Sequence, residues 1–129
     1  MSEARFALIL RPCGSFDVIE WPAELAAGLN ILAREFHTVS ITALGLWPNC
    51  SMWRDTEAAP GTAPLNRFAE RIHCAAGHGA EHYYGTVALT GGLTNANNGA
   101  HTGLTLDACH EFLKLAEITV PKMPHPRTK

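Results

Sequence analysis

His37-Thr38-Val39-Ser40-Ile41-Thr42-Ala43-Leu44 is the stretch on which the fold turns. Val39, Ile41 and Ala43 alternate with Thr38, Ser40 and Thr42, the period of an extended chain whose successive side chains point to opposite sides of a sheet. Such a strand has one dry face and one polar face. Parallel strands, covered on both faces, read as unbroken apolar runs, so the alternation predicts an antiparallel or mixed sheet and an α+β fold instead of a doubly wound one.

Towards the N-terminus, Leu25, Leu29, Leu32 and Phe36 share one helical face, and Pro22 suits the first turn of that helix because its missing N–H has no partner there in any case. Gly28 lies on the same face and gives room for a strand to approach, despite costing about 1 kcal/mol against Ala in helix propensity. Further upstream, Phe6-Ala7-Leu8-Ile9-Leu10 is a continuous apolar run stopped by Arg11-Pro12-Cys13-Gly14, and residues 16–21 resume with Val18 and Ile19. Two strands joined by a short turn are predicted.

Towards the C-terminus, residues 45–61 read as a long connection holding Pro48, Asn49 and Pro60 together with Trp47, Met52 and Trp53. A second helix follows, with Thr62 as N-cap, Pro64 in the first turn, a stripe of Leu65, Phe68, Ala69 and Ile72, and Gly77 ending it in the left-handed conformation. Residues 83–90 alternate again, Val87 and Leu89 against Tyr84, Thr86, Ala88 and Thr90, and predict another strand. The Gly- and Asn-rich residues 91–103 read as a loop turning at Asn98-Gly99. A third helix starts after Thr105, with Asp107 at the positive end of its dipole, Leu104 and Cys109 as a hydrophobic staple, and Leu106, Cys109, Phe112, Leu113 and Ala116 as its apolar stripe. The expected order is β-β-α-β-α-β-α: a sheet of about four strands, mostly antiparallel or mixed, with its helices on one face. It forms a single domain over residues 1–120, followed by a flexible, Pro-rich, basic tail over residues 121–129.

A chain of 129 residues that is 47% hydrophobic and 17% charged is sized and composed for one globular domain. Its net charge of −2 provides no field to gather phosphate backbones, so no non-specific nucleic-acid binding is expected. The opening residues lack the pattern of a secretory signal, and residues 21–33 are interrupted by Glu24 and Asn30 and fall short of the roughly 20 apolar residues that cross a bilayer. A cytoplasmic protein without a membrane partner is the expectation. Four cysteines, Cys13, Cys50, Cys74 and Cys109, are too sparse and too far apart for a disulfide scaffold and read as reduced thiols.

Three groups of residues carry candidate chemistry. Cys74, His78 and His82 form the densest set of potential zinc ligands, but Gly77 and Gly79 break the helical register that would align them; the competing reading is histidines that satisfy carbonyls at a helix end. No other cofactor is called for. Cys109 and His110 are neighbours whose side chains diverge by about 100° on a helix, and Cys13 has only Arg11 nearby to lower its pKa, so no catalytic residue is assigned. The glycine-rich loop, with Asn95, Asn97 and Asn98, lacks a phosphate-binding pattern and reads as a surface loop able to meet a small ligand or partner. Trp47, Met52 and Trp53 either fold over an open end of the core or stand out as anchors for a protein partner or for self-association.

The strand at residues 6–10 with Phe16-Asp17-Val18-Ile19-Glu20-Trp21, the helix opening Pro64-Leu65-Asn66-Arg67-Phe68-Ala69, the strand Gly85-Thr86-Val87-Ala88-Leu89-Thr90-Gly91 and the closing Gly103-Leu104-Thr105-Leu106-Asp107 cover most of the chain. Together they resemble a family of small phage- and plasmid-encoded proteins known as a domain of unknown function. Where a glycine pair is expected after the first helix, this chain has Arg34-Glu35-Phe36-His37-Thr38, and its residues 47–61 have no counterpart. The resemblance implies no activity; it implies an accessory protein of a mobile element, acting in the host cytoplasm if phage-encoded. The expected function is a non-enzymatic binding protein that binds and inhibits a host factor. The alternatives are a zinc-dependent or small-ligand-binding enzyme centred on Cys74, His78 and His82, and a self-assembling structural or virion protein.

Overall fold

The computed structural model describes residues 5–79, 81–95, 99–118 and 126–127. Its centre is β1 (Phe6–Leu10), in which all five residues are buried. The strand turns through Pro12-Cys13-Gly14 and returns antiparallel as β2 (Phe16–Glu20), with Leu8 opposite Val18. After α1 (Leu25–Phe36) comes the hairpin β3 (Ile41–Trp47) and β4 (Cys50–Asp55), then α2 (Arg67–Ala75) and β5 (Val87–Thr90). A small two-stranded ribbon, β6 (Leu93–Asn95) with β7 (Ala100–His101), precedes α3 (Leu106–Leu115) and the short β8 (Pro126–Arg127). The main sheet runs β3-β4-β5-β1-β2-β8, antiparallel throughout except for the parallel contact of β8 with β2. The α+β class and the antiparallel sheet match the expectation from sequence.

The helices do not lie on one face, as expected, but on two. Leu8, Leu10, Val18, Met52, Val87 and Leu89 point to the side covered by α2 and α3, where Ala69, Ile72, Cys109 and Leu113 complete the cluster. Ala7, Ile9, Ile19, Trp53 and Ala88 point to the other side, covered by α1 through Ile31, Leu32 and Phe36. The physical reason is present in β1 itself: five consecutive apolar residues leave no polar face for water, so both sides need a cover. Each fully buried Leu or Ile contributes about 1.5–3 kcal/mol of transfer free energy relative to exposure.

Residues 45–61, expected as a connection, hold the end of one strand and the whole of the next. Their first part completes β3, Pro48 and Asn49 make a two-residue turn, and residues 50–55 form β4, an interior strand of the sheet. The alternating stretch at residues 37–44 contributes, from Ile41 onward, an edge strand of the sheet. Val39, expected inside, is 88% exposed and precedes the strand. The glycine-rich segment also acquires structure in the β6–β7 ribbon, with Gly99 at positive φ.

Capping decides the helix boundaries. Asn66, not Thr62, caps α2: its side-chain oxygen accepts from Ala69 N–H at 3.1 Å while its amide donates to the carbonyls of Leu10 and Gly85 at 3.2 and 2.9 Å. A buried asparagine that satisfies three backbone groups ties α2 to β1, a role an exposed Thr cannot take. Thr62 closes its own turn by donating to Ala59 O. α3 starts after Thr105 as expected, and Thr105 caps it, accepting from Ala108 N–H at 3.0 Å, with Leu104 and Cys109 buried together beneath it. Gly77, at φ +83°, follows the end of α2 as expected. Of the segment expected as a tail, Pro126 and Arg127 pair with Val18 and Ile19. The rest of it lies outside the described residues.

Gly28 packs closely, but against an aromatic ring rather than a strand. A Cβ built there would stand 2.6 Å from the Trp21 indole, which is itself held by a 3.0 Å hydrogen bond from its Nε1–H to His101 O and by Trp53 at 6.0 Å between ring centres. Helix propensity favours Gly28→Ala by about 1 kcal/mol, whereas overpacking a fixed ring costs about 1–3 kcal/mol. We expect the overpacking to win, so that Gly28→Ala lowers the urea midpoint; a raised midpoint would show that the Trp21 ring yields.

Candidate functional site

Met52 and Trp53, read as loop anchors, occupy adjacent positions on β4 and therefore face opposite sides of the sheet, 1% and 4% exposed. Trp53 donates its Nε1–H to Thr90 Oγ1 at 2.9 Å and meets the His101 ring at 4.8 Å. Neither side chain is available to a partner. Trp47 is half-buried, its ring 5.7 Å from that of Phe112 on α3. Asn97 and Asn98 lie outside the described residues, and of Asn95 only the backbone, which ends β6, is described.

The three proposed zinc ligands point to different partners. His78 donates its Nε2–H to Leu46 O at 2.8 Å, which fixes its tautomer because a carbonyl can only accept. His82 Nδ1 lies 3.3 Å from Glu70 Oε2, and Cys74 is exposed on α2. Among the described residues no group of three or more His, Cys, Asp or Glu converges as metal ligands would, so these donors do not fit a zinc site. The sequence reading passed over His73, which is buried and shares a 2.8 Å hydrogen bond with the buried Tyr83 hydroxyl. Burial raises the pKa of that phenol. The pair satisfies two polar groups inside the α2 face of the core and is structural.

The outer edge of β3 is the site that sequence reasoning missed. Among the described residues β3 pairs with β4 alone, and its seven residues, Ile41-Thr42-Ala43-Leu44-Gly45-Leu46-Trp47, include no charge and no proline. Thr56 N–H donates to Ser40 O at 2.8 Å, and the register sets Thr42 opposite Arg54 and Leu44 opposite Met52. In an antiparallel ladder bonded and non-bonded pairs alternate, so Ser40, Thr42 and Leu44 bond inward to β4 while Ile41, Ala43 and Gly45 turn their peptide groups outward. The Ile41 N–H folds back on Val39 O at 3.1 Å, which leaves the N–H groups of Ala43 and Gly45 and the carbonyls of Ile41, Ala43 and Gly45 along the edge. A bulge after Gly45 and the bond from His78 to Leu46 O close the edge at its far end. Residues 42–45 are exposed, Leu44 by 43%, and a shallow groove of about 640 Å³ lies alongside, lined by Ala43, Gly45, Trp47, Ser51, Leu93 and His101.

Natural sheets commonly protect such edges with lysine, proline or a covering element. Residues 41–45 include no lysine and no proline, and no element among the described residues pairs along their outer edge. The signal was present in the sequence as seven uncharged residues before Pro48-Asn49, but recognising it as an edge required knowing that β4 follows.

No protein-family model, curated protein or solved structure matches the chain, so the edge has no characterised counterpart from which a role is carried over. No helix among the described residues is long and apolar enough to cross a membrane.

The thiols divide by burial. Cys50 and Cys109 are pushed up to about 12 by burial, whereas the exposed Cys13 is lowered, first by the Ser15 hydroxyl at 3.2 Å. A thiol-exchange reagent at neutral pH is therefore expected to label Cys13 rapidly and Cys50 and Cys109 only on unfolding; fast labelling of all four would contradict the packing. Because unfolded thiols ionise near 9 and the two buried ones near 12, stability is fully present below pH 9 and is lost as pH rises towards 12. The slope is at most about 1.4 kcal/mol per pH unit for each thiol, and replacing either cysteine with Ala should flatten it in urea titrations.

Proposed function

We propose that this chain is a non-enzymatic binding protein whose recognition element is the outer edge of β3, which takes an extended segment of a protein partner as an additional strand. The observation that carries the reading is the row of outward peptide groups from Ile41 to Gly45, with no charge or proline in it and, among the described residues, no strand against it. In strand addition the main-chain hydrogen bonds supply affinity and alternate side chains supply selectivity. Here selectivity would come from the groove beside Ala43 and Gly45 on one face and from Leu44 on the other. In the setting implied by the phage- and plasmid-like layout, the partner is a host factor that the protein binds and disables.

The register gives a clean pair of variants. Proline at position 43 removes an outward N–H and sets its ring against the incoming strand while leaving the bonds to β4 intact; proline at position 42 removes an inward bond. We expect Ala43→Pro to keep the unfolding free energy within about 1 kcal/mol, and Thr42→Pro to lower it by about 1–3 kcal/mol through the ladder bond it removes and the β4 carbonyl it leaves unpaired. In a quantitative pull-down from a host lysate, Ala43→Pro should lose the partners that the parent protein recovers. Equal recovery of every partner by both would remove the β3 edge as the recognition element.

A further inference from the structure

We propose that, in the protein alone, the strand added to β3 is β3 of a second copy, the two running antiparallel about a two-fold axis through Ala43. The inference rests on the reading of β3 as a strand-addition edge and adds the identity of the strand. Two identical strands pair about a two-fold only if the sequence complements its own reversal. This one does. With Ala43 opposite Ala43 of the second copy, Ile41 falls opposite Gly45 and Thr42 opposite Leu44.

The bonding pattern agrees with that register. Ala43 presents both its N–H and its carbonyl outward, so the central pair exchanges two hydrogen bonds, as a bonded antiparallel pair does. On either side the outward N–H of Gly45 meets the outward carbonyl of Ile41 from the other copy. The Ile41 N–H keeps its bond to Val39 O and is not needed.

Side-chain size and charge fit as well. On the α1 side, where Ala43 lies opposite Trp53 of that core, the large Ile41 meets a glycine and the centre holds two alanines. On the α2–α3 side, Leu44, 43% exposed in the single chain, gains Thr42 of the second copy as its cross-strand neighbour. No charged side chain stands on β3, so the two-fold opposes no like charges. A shift of the register by one residue along the second strand would lose these matches and set the outward peptide groups of Ala43 and Gly45 opposite Thr42 and Leu44, whose own groups stay bonded to β4 and cannot answer them. The bulge and the His78 bond at Leu46 limit the pairing to residues 41–45.

The test is light scattering coupled to size exclusion on the full chain from micromolar to millimolar concentration, with Ala43→Pro and Leu44→Lys run beside it. The second variant leaves the backbone unaltered and places a charge on each strand next to the axis. We expect the parent to reach twice the mass of one chain, and both variants to remain single chains with unchanged circular dichroism, their dimer dissociation constants raised at least tenfold. A parent that stays a single chain at millimolar concentration overturns the second copy as occupant, as does a dimer that survives in both variants, since that dimer uses another surface. Should the parent be a single chain and still lose its lysate partners on Ala43→Pro, the edge stands and its strand comes from another protein; should those partners also persist, both readings fall.

Discussion

The structure depends on one strand that water reaches from neither side. β1 sends Leu8 and Leu10 into the cluster under α2 and α3, and Ala7 and Ile9 into the cluster under α1. It also supplies the Leu10 carbonyl that anchors Asn66, and hence the start of α2. A strand with no polar face forces covers onto both sides of the sheet, and each cover is then fixed by a specific polar contact. On one side this is the Asn66 cap; on the other it is Trp21, whose ring fills the space left by Gly28 and whose N–H reaches the β7 carbonyl of His101. Packing and capping act together: Asn66 and Trp21 each fill a buried position and bond a backbone carbonyl of the sheets.

The covers do not extend to the sheet's margin. Among the described residues α1 meets β3 through Ile41 and α3 reaches it through Trp47 against Phe112, and from Thr42 to Gly45 the strand is exposed on both faces and open along its edge. The hydrophobic demand that organises the centre is thus absent at β3, where Thr42, Ala43 and Gly45 are small or polar enough to face water. What remains unsatisfied there is main chain, not side chain. Peptide groups bonded only to solvent form a template for another strand, and the lack of charge leaves nothing to repel it.

Much of this was legible in the sequence, for identifiable reasons. The run Phe6-Ala7-Leu8-Ile9-Leu10, the α3 cap at Thr105 and the stop at Gly77 are local signals that tertiary packing did not overrule. The same run also declared a strand covered twice, against which the expectation of helices on one face was inconsistent. Two features were hidden. β4 alternates in neither a helical nor a simple polar pattern, because as an interior strand it buries Met52 on one face and Trp53 on the other. Reading it as a loop made two core side chains look like interface anchors. The alternation at residues 37–44 pointed the wrong way for a related reason: a period of two identifies an extended chain but not whether its apolar side has anything to pack against, and Val39 and Ala43 have little. At the proposed metal group, the spacing of Cys74, His78 and His82 could not reveal that a carbonyl on β3 claims His78 and a glutamate on α2 lies beside His82.

Amide hydrogen exchange resolved residue by residue along β3 tests the central claim most directly. In dilute protein the N–H groups of Thr42 and Leu44, bonded to β4, should exchange slowly and those of Ala43 and Gly45 quickly, with Ala43 and Gly45 becoming protected as concentration rises. Uniformly fast exchange would show that β3 is not held in the sheet, and slow exchange at Ala43 and Gly45 at every dilution would show that the edge is already closed within one chain.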